Sequence, residues 1–444
     1  MNPKSFSHIT VLPDGVQPSR IDVDLDAGVI VAINPDCGSM DQSCLLFPGF
    51  VDIHVHAREF PKPSCGQKDL LKKWESMCAK EVLASAASAA INGGVTCFAA
   101  MPNDPSPPDK EITYDKKLSL GKNSKCPVIF FASITEHSEP WADLPYKLYL
   151  DKSATSISFS KWSTVENTLS RYKGRRVFFH AEDPDILQDN SEQLEHWKKR
   201  PPEAETRAVN KILDLTHKYG LVSHICHVST EGSVKLIREY NESSSTKVTC
   251  EVTPHHLFFS VDEHGYYAGG RKIEIPGYIL NCNPPLRSEH DRQTMIEALR
   301  SNLIQVLASD HAPHLMVDKK LGVSGIPHLD TLGPFVGWLV KDCGFHPTRI
   351  AQILSEEPSR IMAPNMTKKY GRLQKEFGAS FTVIDFGKTT DVGPSKNFAP
   401  NRRLFTRCGW SPFEHVSLPA RIRFTVVNGI IFEYNHELRR LEET

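Results

Sequence analysis

Eight short apolar runs, each followed by a longer stretch with helical spacing, recur between about residues 49 and 365, and this repeat constrains the fold more than any other feature. They are GFVDIHVHA from Gly49, VTCFAA from Val95, VIFFASI from Val128, KLYL from Lys147, VFFHA from Val177, SHICHV from Ser223, VTCEVT from Val248 and QVLASD from Gln305. Short apolar segments of this kind suit strands buried on both faces, and their alternation with helices implies parallel strands joined by crossovers. Eight units close a (β/α)8 TIM-like barrel, so an α/β fold of that type is predicted for residues 49–365. Helices are expected over Leu83 to Ile91, stopped by Gly93-Gly94, and over Glu203 to His217 and Glu289 to Leu299.

The flanks have a different period. ITVLPDG, RIDVDLDAGVIVAINP, SFTVIDF and RIRFTVVNGIIFEYN alternate in strand fashion around turn residues such as Asn428-Gly429. Residues 1–48 and 366–444 are therefore expected to build one small β-sandwich from both ends of the chain, the last residues forming a tail.

Charge narrows the partners. Lys and Arg number 52 against 53 Asp and Glu, a formal net charge of -1, which removes the electrostatic argument for nucleic acid or an anionic membrane. A small molecule is the expected ligand. The 11 cysteines are scattered, with no CxxC pair, which reads as reduced thiols and a cytoplasmic setting. The N-terminus lacks the apolar core of a signal peptide, and no apolar run reaches the ~18 residues of a spanning helix. A homodimer, the commonest closed assembly, is the expected oligomer.

In a barrel the C-terminal ends of the strands converge on one mouth, so strand-end position predicts membership of an active site. His54 and His56 end the first run and, at i and i+2, share a face. Lys147 begins the fourth run, His180 ends the fifth, His227 lies in the sixth and Asp310 ends the eighth. Neutral imidazole and carboxylate suit zinc or a similar divalent metal. Four His, one Asp and one Lys exceed one tetrahedral ion but suit two, with the lysine amine converted by carbon dioxide to an anionic carbamate bridging ions about 3.5–4 Å apart. Taken singly, an HxH on a strand is more often incidental, and Lys147 or Arg58 could each be an ion-pair residue at a strand end. The ordered set reverses that weighting for the metal site.

From PGFVDIHVHARE through GGVTCFAAMPNDPSPP, KLYL, FFHAED, SHICHVST, CEVTPHHL, NPPLRSEHDR and SDHAPH, the chain resembles the cyclic amidohydrolases, and within them the dihydroorotase family with a carboxylated lysine. The resemblance implies that His54, His56, Lys147 and Asp310 hold one zinc ion, that Lys147, His180 and His227 hold the other, and that a hydroxide bridges them. It further implies reversible cyclisation of N-carbamoyl-L-aspartate to L-dihydroorotate in pyrimidine synthesis, with Asp310 as general acid and base. Arg58 continues the His54, His56 alternation, and its planar fork suits the ring carboxylate. Asn103 and His314 match the family's other carboxylate contacts, and Asn283 the contact to the ring amide, a turn role for Asn283 being nearly as well supported. Asp151 to Thr155 is expected to be a lid, with Ser153 or Thr155 donating to substrate.

Other histidines read more plainly. His224, three residues before His227, is expected on the opposite side of a regular strand as a packed or hydrogen-bonded residue. His255 and His256 are expected to stand behind the ligands or serve as turn residues that orient them, while Cys226 and Glu251 could bind a further metal but more simply line the site. Lys198-Lys199-Arg200 reads as a solvated helix end. The chain departs from the family at EFPKPSCGQKDLLKKWESMC, inserted between Arg58 and Lys80-Glu81 and expected above the mouth. Ala57 and Leu280-Asn281-Cys282 are packing changes. Two other readings stay open: a dihydropyrimidinase, hydantoinase or allantoinase acting on a ring without the carboxylate, and a non-catalytic scaffold.

Overall fold

A computed structural model describes residues 3–150, 157–393, 400–414, 416–435 and 440–443. The expected lid, Asp151 to Thr155, lies outside the described residues. The apolar runs form parallel strands. Phe50–Val55 pairs with Val95–Ala100, which pairs with Val128–Phe130. A second set runs Ala132–Ser133, Tyr146–Tyr149, Arg176–His180, Val222–Ile225, Thr249–Val252 and Val306–Leu307. The third run is thus split at Phe131, whose N–H still reaches Ala100 O at 3.1 Å. The eighth is only two residues long, yet beyond it His311 bridges in parallel to Val55, and His56 N donates to His311 O at 2.8 Å. Every residue of Phe50–Val55 and Val95–Ala100 is buried, as strands covered on both faces require.

The helices fall where spacing placed them: Leu83–Asn92, Pro202–Tyr219 and Glu289–Arg300. The first buries Leu83, Ala86, Ala87, Ala90 and Ile91. It stops where Gly94 takes φ +84°, beside a Gly93 whose Cβ would meet Leu329 O at 1.8 Å. The long helix ends on Gly220 at φ +62°, a left-handed cap that satisfies the last turn.

Both termini meet in one continuous eight-stranded sheet. Its order is Arg440–Glu443, Ile430–Asn435, Arg421–Val427, Phe381–Asp385, Cys44–Pro48, Pro3–Leu12, Gly15–Asp24 and Val29–Pro35. Phe6, Ile21, Leu46, Phe381 and Val426 share its apolar cluster, and the Phe6 ring packs edge-on against Phe381 at 4.9 Å. The Asn428-Gly429 turn closes a two-residue hairpin with both φ positive, at 49° and 90°.

The segment around residues 402–410 leaves this sheet and lies against the parallel-strand core. Phe405 N and Thr406 N donate to Asp330 at 2.8 and 2.9 Å, and Arg407 N donates to Glu81 at 3.2 Å. Trp410 Nε1 donates to His314 O at 2.7 Å. The insertion after Arg58 is an extended stretch followed by the helix Lys68–Lys80, which delivers Lys80 to His314. Among the described residues no helix is long and apolar enough to cross a membrane, and all eleven cysteines are free thiols.

Candidate active site

Strand register assembles the centre. Parallel pairing sets Lys147 beside Phe178 and Tyr149 beside His180, so alternation aims Lys147, Tyr149 and His180 to one side. His54 arrives on the strand Phe50–Val55, and His56 follows immediately after it. Arg58, His227 and Asp310 all have positive φ, at 60°, 38° and 43°, a conformation non-glycine residues adopt at a cost and one found preferentially at functional sites. The strain at His227 also explains a departure from expectation. His224 does not turn away from the centre: regular alternation ends at Ile225, so His224 and His227 both reach the surroundings of His54.

Three of the imidazoles are held by one nitrogen, leaving the other aimed inward. Glu251 accepts from His54 Nδ1, Asn103 Oδ1 accepts from His56 Nδ1 at 3.0 Å, and Glu182 accepts from His180 Nε2 at 2.9 Å. The free Nε2 atoms of His54 and His56 then face Asp310 Oδ1 at 3.2 and 3.0 Å, and His180 Nδ1 faces His227 Nε2 at 2.9 Å. Lone pairs opposing a carboxylate oxygen repel unless a cation or proton stands among them, so this donor set fits a metal ion. The donor atoms of His54, His56 and Asp310 lie within 4.8 Å of one another, as do those of His54, Cys226 and Glu251.

Lys147 is fully buried, and it donates to Cys226 Sγ at 2.8 Å. Among the described residues no carboxylate forms an ion pair with it.

Burial and neighbouring charges pull these groups in opposite directions. Burial pushes the Asp310 carboxyl up, but His54 and His56 outweigh it and hold it at about 2. Burial with Arg58 and His54 lowers His56 to about 4, against the pull of Asp310. Burial opposes charge on His54, yet the Glu251 and Asp310 carboxylates raise it to about 10, so they favour a cation at this position. His227 stays neutral through burial and its cationic neighbours.

A small cavity of about 90 Å³ opens onto the centre, lined by His54, His56, His180, His227 and Asp310 together with Arg58, Asn103, Asn283 and His314. All the expected site residues except the buried Lys147 line it. Arg58 NH2 contacts His314 Nε2 at 2.9 Å, and Lys80 Nζ approaches His314 Nδ1 at 3.3 Å. Burial and the charges of Arg58 and Lys80 hold His314 neutral. Asn103 therefore supports His56 as well as lining the cavity, and Asn283 precedes Pro284 through a cis peptide bond.

Some contributors were not anticipated. Tyr149, Ser324 and Gly325 also line the cavity. Tyr149 stands two residues after Lys147, so strand alternation was the signal that could have found it. Arg200 corrects the reading of a solvated helix end: Lys198 pairs at the surface with Glu263, but Arg200 turns inward to Glu182, the residue that holds His180. His255 and His256 touch no expected ligand. His256 spans Thr253 Oγ1 at 2.8 Å and Pro284 O at 3.1 Å, and His255 stacks on His328.

A family model described as the amidohydrolase family matches residues 45–125. The dihydroorotase of Thermococcus kodakarensis is 31% identical over 406 residues, covering 89% of this chain and 85% of that protein. That of Archaeoglobus fulgidus is 28% identical over 409 residues, covering 88% of each. Among solved structures, the L-hydantoinase (dihydropyrimidinase) from Arthrobacter aurescens superimposes with a TM-score of 0.79 at 21% identity, over 95% of this chain and 94% of that one. The dihydropyrimidinase from Brevibacillus agri NCHU1002 gives 0.78 at 18%, over 96% and 94%. At such identities the structural likeness speaks for the fold alone.

Proposed function

The chain belongs to the dihydroorotase family of amidohydrolases, and from that premise we propose that it interconverts N-carbamoyl-L-aspartate and L-dihydroorotate in pyrimidine (UMP) biosynthesis. The observation that carries this reading is that one small cavity is lined both by the His54 and His56 imidazoles, whose Nε2 atoms meet Asp310, and by the buried guanidinium of Arg58. The first group suits metal-assisted amide chemistry, the second an anionic ring substituent.

In this reading His54, His56, Asp310 and a carboxylated Lys147 would hold one zinc ion, and the same Lys147 with His180 and His227 would hold a second. Bound there, zinc would supply Lewis acidity toward the ring carbonyl and a water of lowered pKa. Asp310 takes a proton from the attacking water and gives it to the ring nitrogen as the amide C–N bond breaks; in ring closure it runs in reverse. Arg58, with His314 and Asn103, binds the carboxylate, and Asn283 the ring amide. Glu251, Glu182 and Asn103 fix the imidazole orientations.

The parallel strands, returning from His311 to Val55, are read as the closed (β/α)8 barrel of residues 49–365. Residues 1–48 and 366–444 are read as the two parts of a sandwich folded over the Phe6 and Phe381 cluster. A homodimer is the proposed assembly, to be read by light scattering.

The test is incubation of the purified protein with L-dihydroorotate at mildly alkaline pH, following ring opening, with Asp310→Ala as control. Turnover by the parent alone supports the reading. A zinc-loaded parent that leaves dihydroorotate intact but opens dihydrouracil or hydantoin would replace it with the reading of a carboxylate-free ring. Less than one metal ion per chain, with no activity on adding zinc and bicarbonate, would leave a scaffold.

A further inference from the structure

Tyr149 is almost completely buried, lines the active-site cavity, and carries a hydroxyl with no hydrogen-bond partner among the described residues. An unpaired buried hydroxyl costs roughly 1–3 kcal/mol, so its position needs a reason. Strand register places the residue beside His180, and its ring lies 5.1 Å from Lys147 Nζ, which fixes the phenol at the cavity rather than leaving it to solvent. A second orphan donor lines the same cavity. Arg58, which lines it too, has a buried and unpartnered Nε, while its NH2 is engaged with His314. Two unsatisfied donors on one 90 Å³ cavity are what an anion with two acceptor oxygens would complete.

We propose that the Tyr149 hydroxyl and Arg58 Nε–H together bind the ring carboxylate of the substrate, making Tyr149 a specificity-determining residue. This rests on the reading of the protein as a dihydroorotase. Tyr149 acts as a neutral phenol that donates one hydrogen bond and accepts no proton.

The test is Tyr149→Phe, which keeps the ring and its packing and removes only the hydroxyl. In the zinc-loaded enzyme, KM for L-dihydroorotate and Kd for orotate, a planar analogue with the same carboxylate, are expected to rise about ten- to a hundred-fold, the loss of one hydrogen bond to a charged group. Metal content is expected to stay at the parent value and the thermal midpoint of the substrate-free enzyme to hold or rise, because the variant loses an unpaired buried hydroxyl; a structural role for the hydroxyl would lower the midpoint instead. KM and Kd within about twofold of the parent overturn the proposal. Loss of metal in the variant also overturns it, because the hydroxyl would then serve the metal centre. A parent enzyme that does not turn over dihydroorotate removes the functional reading itself, an outcome distinct from parent and variant being equally active.

Discussion

Glu251 holds no substrate in the proposed mechanism, yet it governs the basicity of His54, and its replacement tests the metal centre without touching the cavity. One carboxylate oxygen accepts from His54 Nδ1 and the other from His224 Nε2 at 3.1 Å, and all three side chains are essentially inaccessible to water. Glu251→Gln keeps the shape. Its amide oxygen can still accept from His54, and its NH2 can donate to His224, because His224 can shift its proton to Nδ1 against Thr249 Oγ1, 2.8 Å away. The hydrogen bonds are therefore conserved and only the negative charge is lost. Loss of such a partner behind a metal-ligating histidine lowers metal affinity about 10- to 100-fold, which is about 1.4–2.7 kcal/mol. Glu251→Ala removes the acceptors as well, leaving two buried imidazole nitrogens unpaired at roughly 1–3 kcal/mol each, so it should also lower the thermal midpoint. The assay is zinc competition against a chelator of known affinity, alongside thermal unfolding of the same samples. The Gln variant should bind zinc more weakly, recover turnover in excess zinc and unfold near the parent temperature. Parent-like zinc affinity in a folded Gln variant would refute the argument that Glu251 tunes His54.

Other consequences are as direct. Arg58→Ala should cost about 2–4 kcal/mol of transition-state stabilisation on dihydroorotate, read as kcat/KM, with zinc content unchanged; unchanged kcat/KM would remove Arg58 from the carboxylate site. Arg200→Met strips Glu182 of its ion pair, so zinc at the His180 side should be lost first in a chelator titration, with one ion per chain retained. Lys319 gives a pH signature. It donates to the carbonyls of Asn281, Val323 and Gly325 at 2.8–2.9 Å, while burial pushes its ammonium down to about 7. The unfolded chain keeps that proton up to the ordinary value of 10.5, so between about 7 and 10.5 the unfolded state binds more protons and this group makes stability rise with pH. The burial penalty is fully present below about 7 and fades as pH approaches 10.5, a slope that Lys319→Met should remove from thermal midpoints taken across that window.

Much of this protein could be read along the chain because the governing signals are local. Period-2 alternation put His54 and His56 on one face, apolar runs marked the strands, and Asn428-Gly429 closed its hairpin as its preference for positive φ requires. Alternation even contained Tyr149, two residues from Lys147, although nothing local said its hydroxyl would be orphaned. Local regularity misled where the backbone leaves it: His224 and His227 both reach the centre because the strand ends at Ile225 and His227 takes φ 38°.

By itself, then, the sequence determined the element types and the chemical inventory, since side-chain period and donor type are properties of a residue and its near neighbours. Only the tertiary structure decided which nitrogen of each imidazole is free. That depends on Glu251 meeting His54 across 197 positions, on Asp310 meeting His56 across 254, and on Arg200 turning inward to Glu182. Burial and hydrogen-bond partnership are set by such long-range packing, and they turn a row of ligand-capable side chains into a site able to hold a metal ion beside an anion.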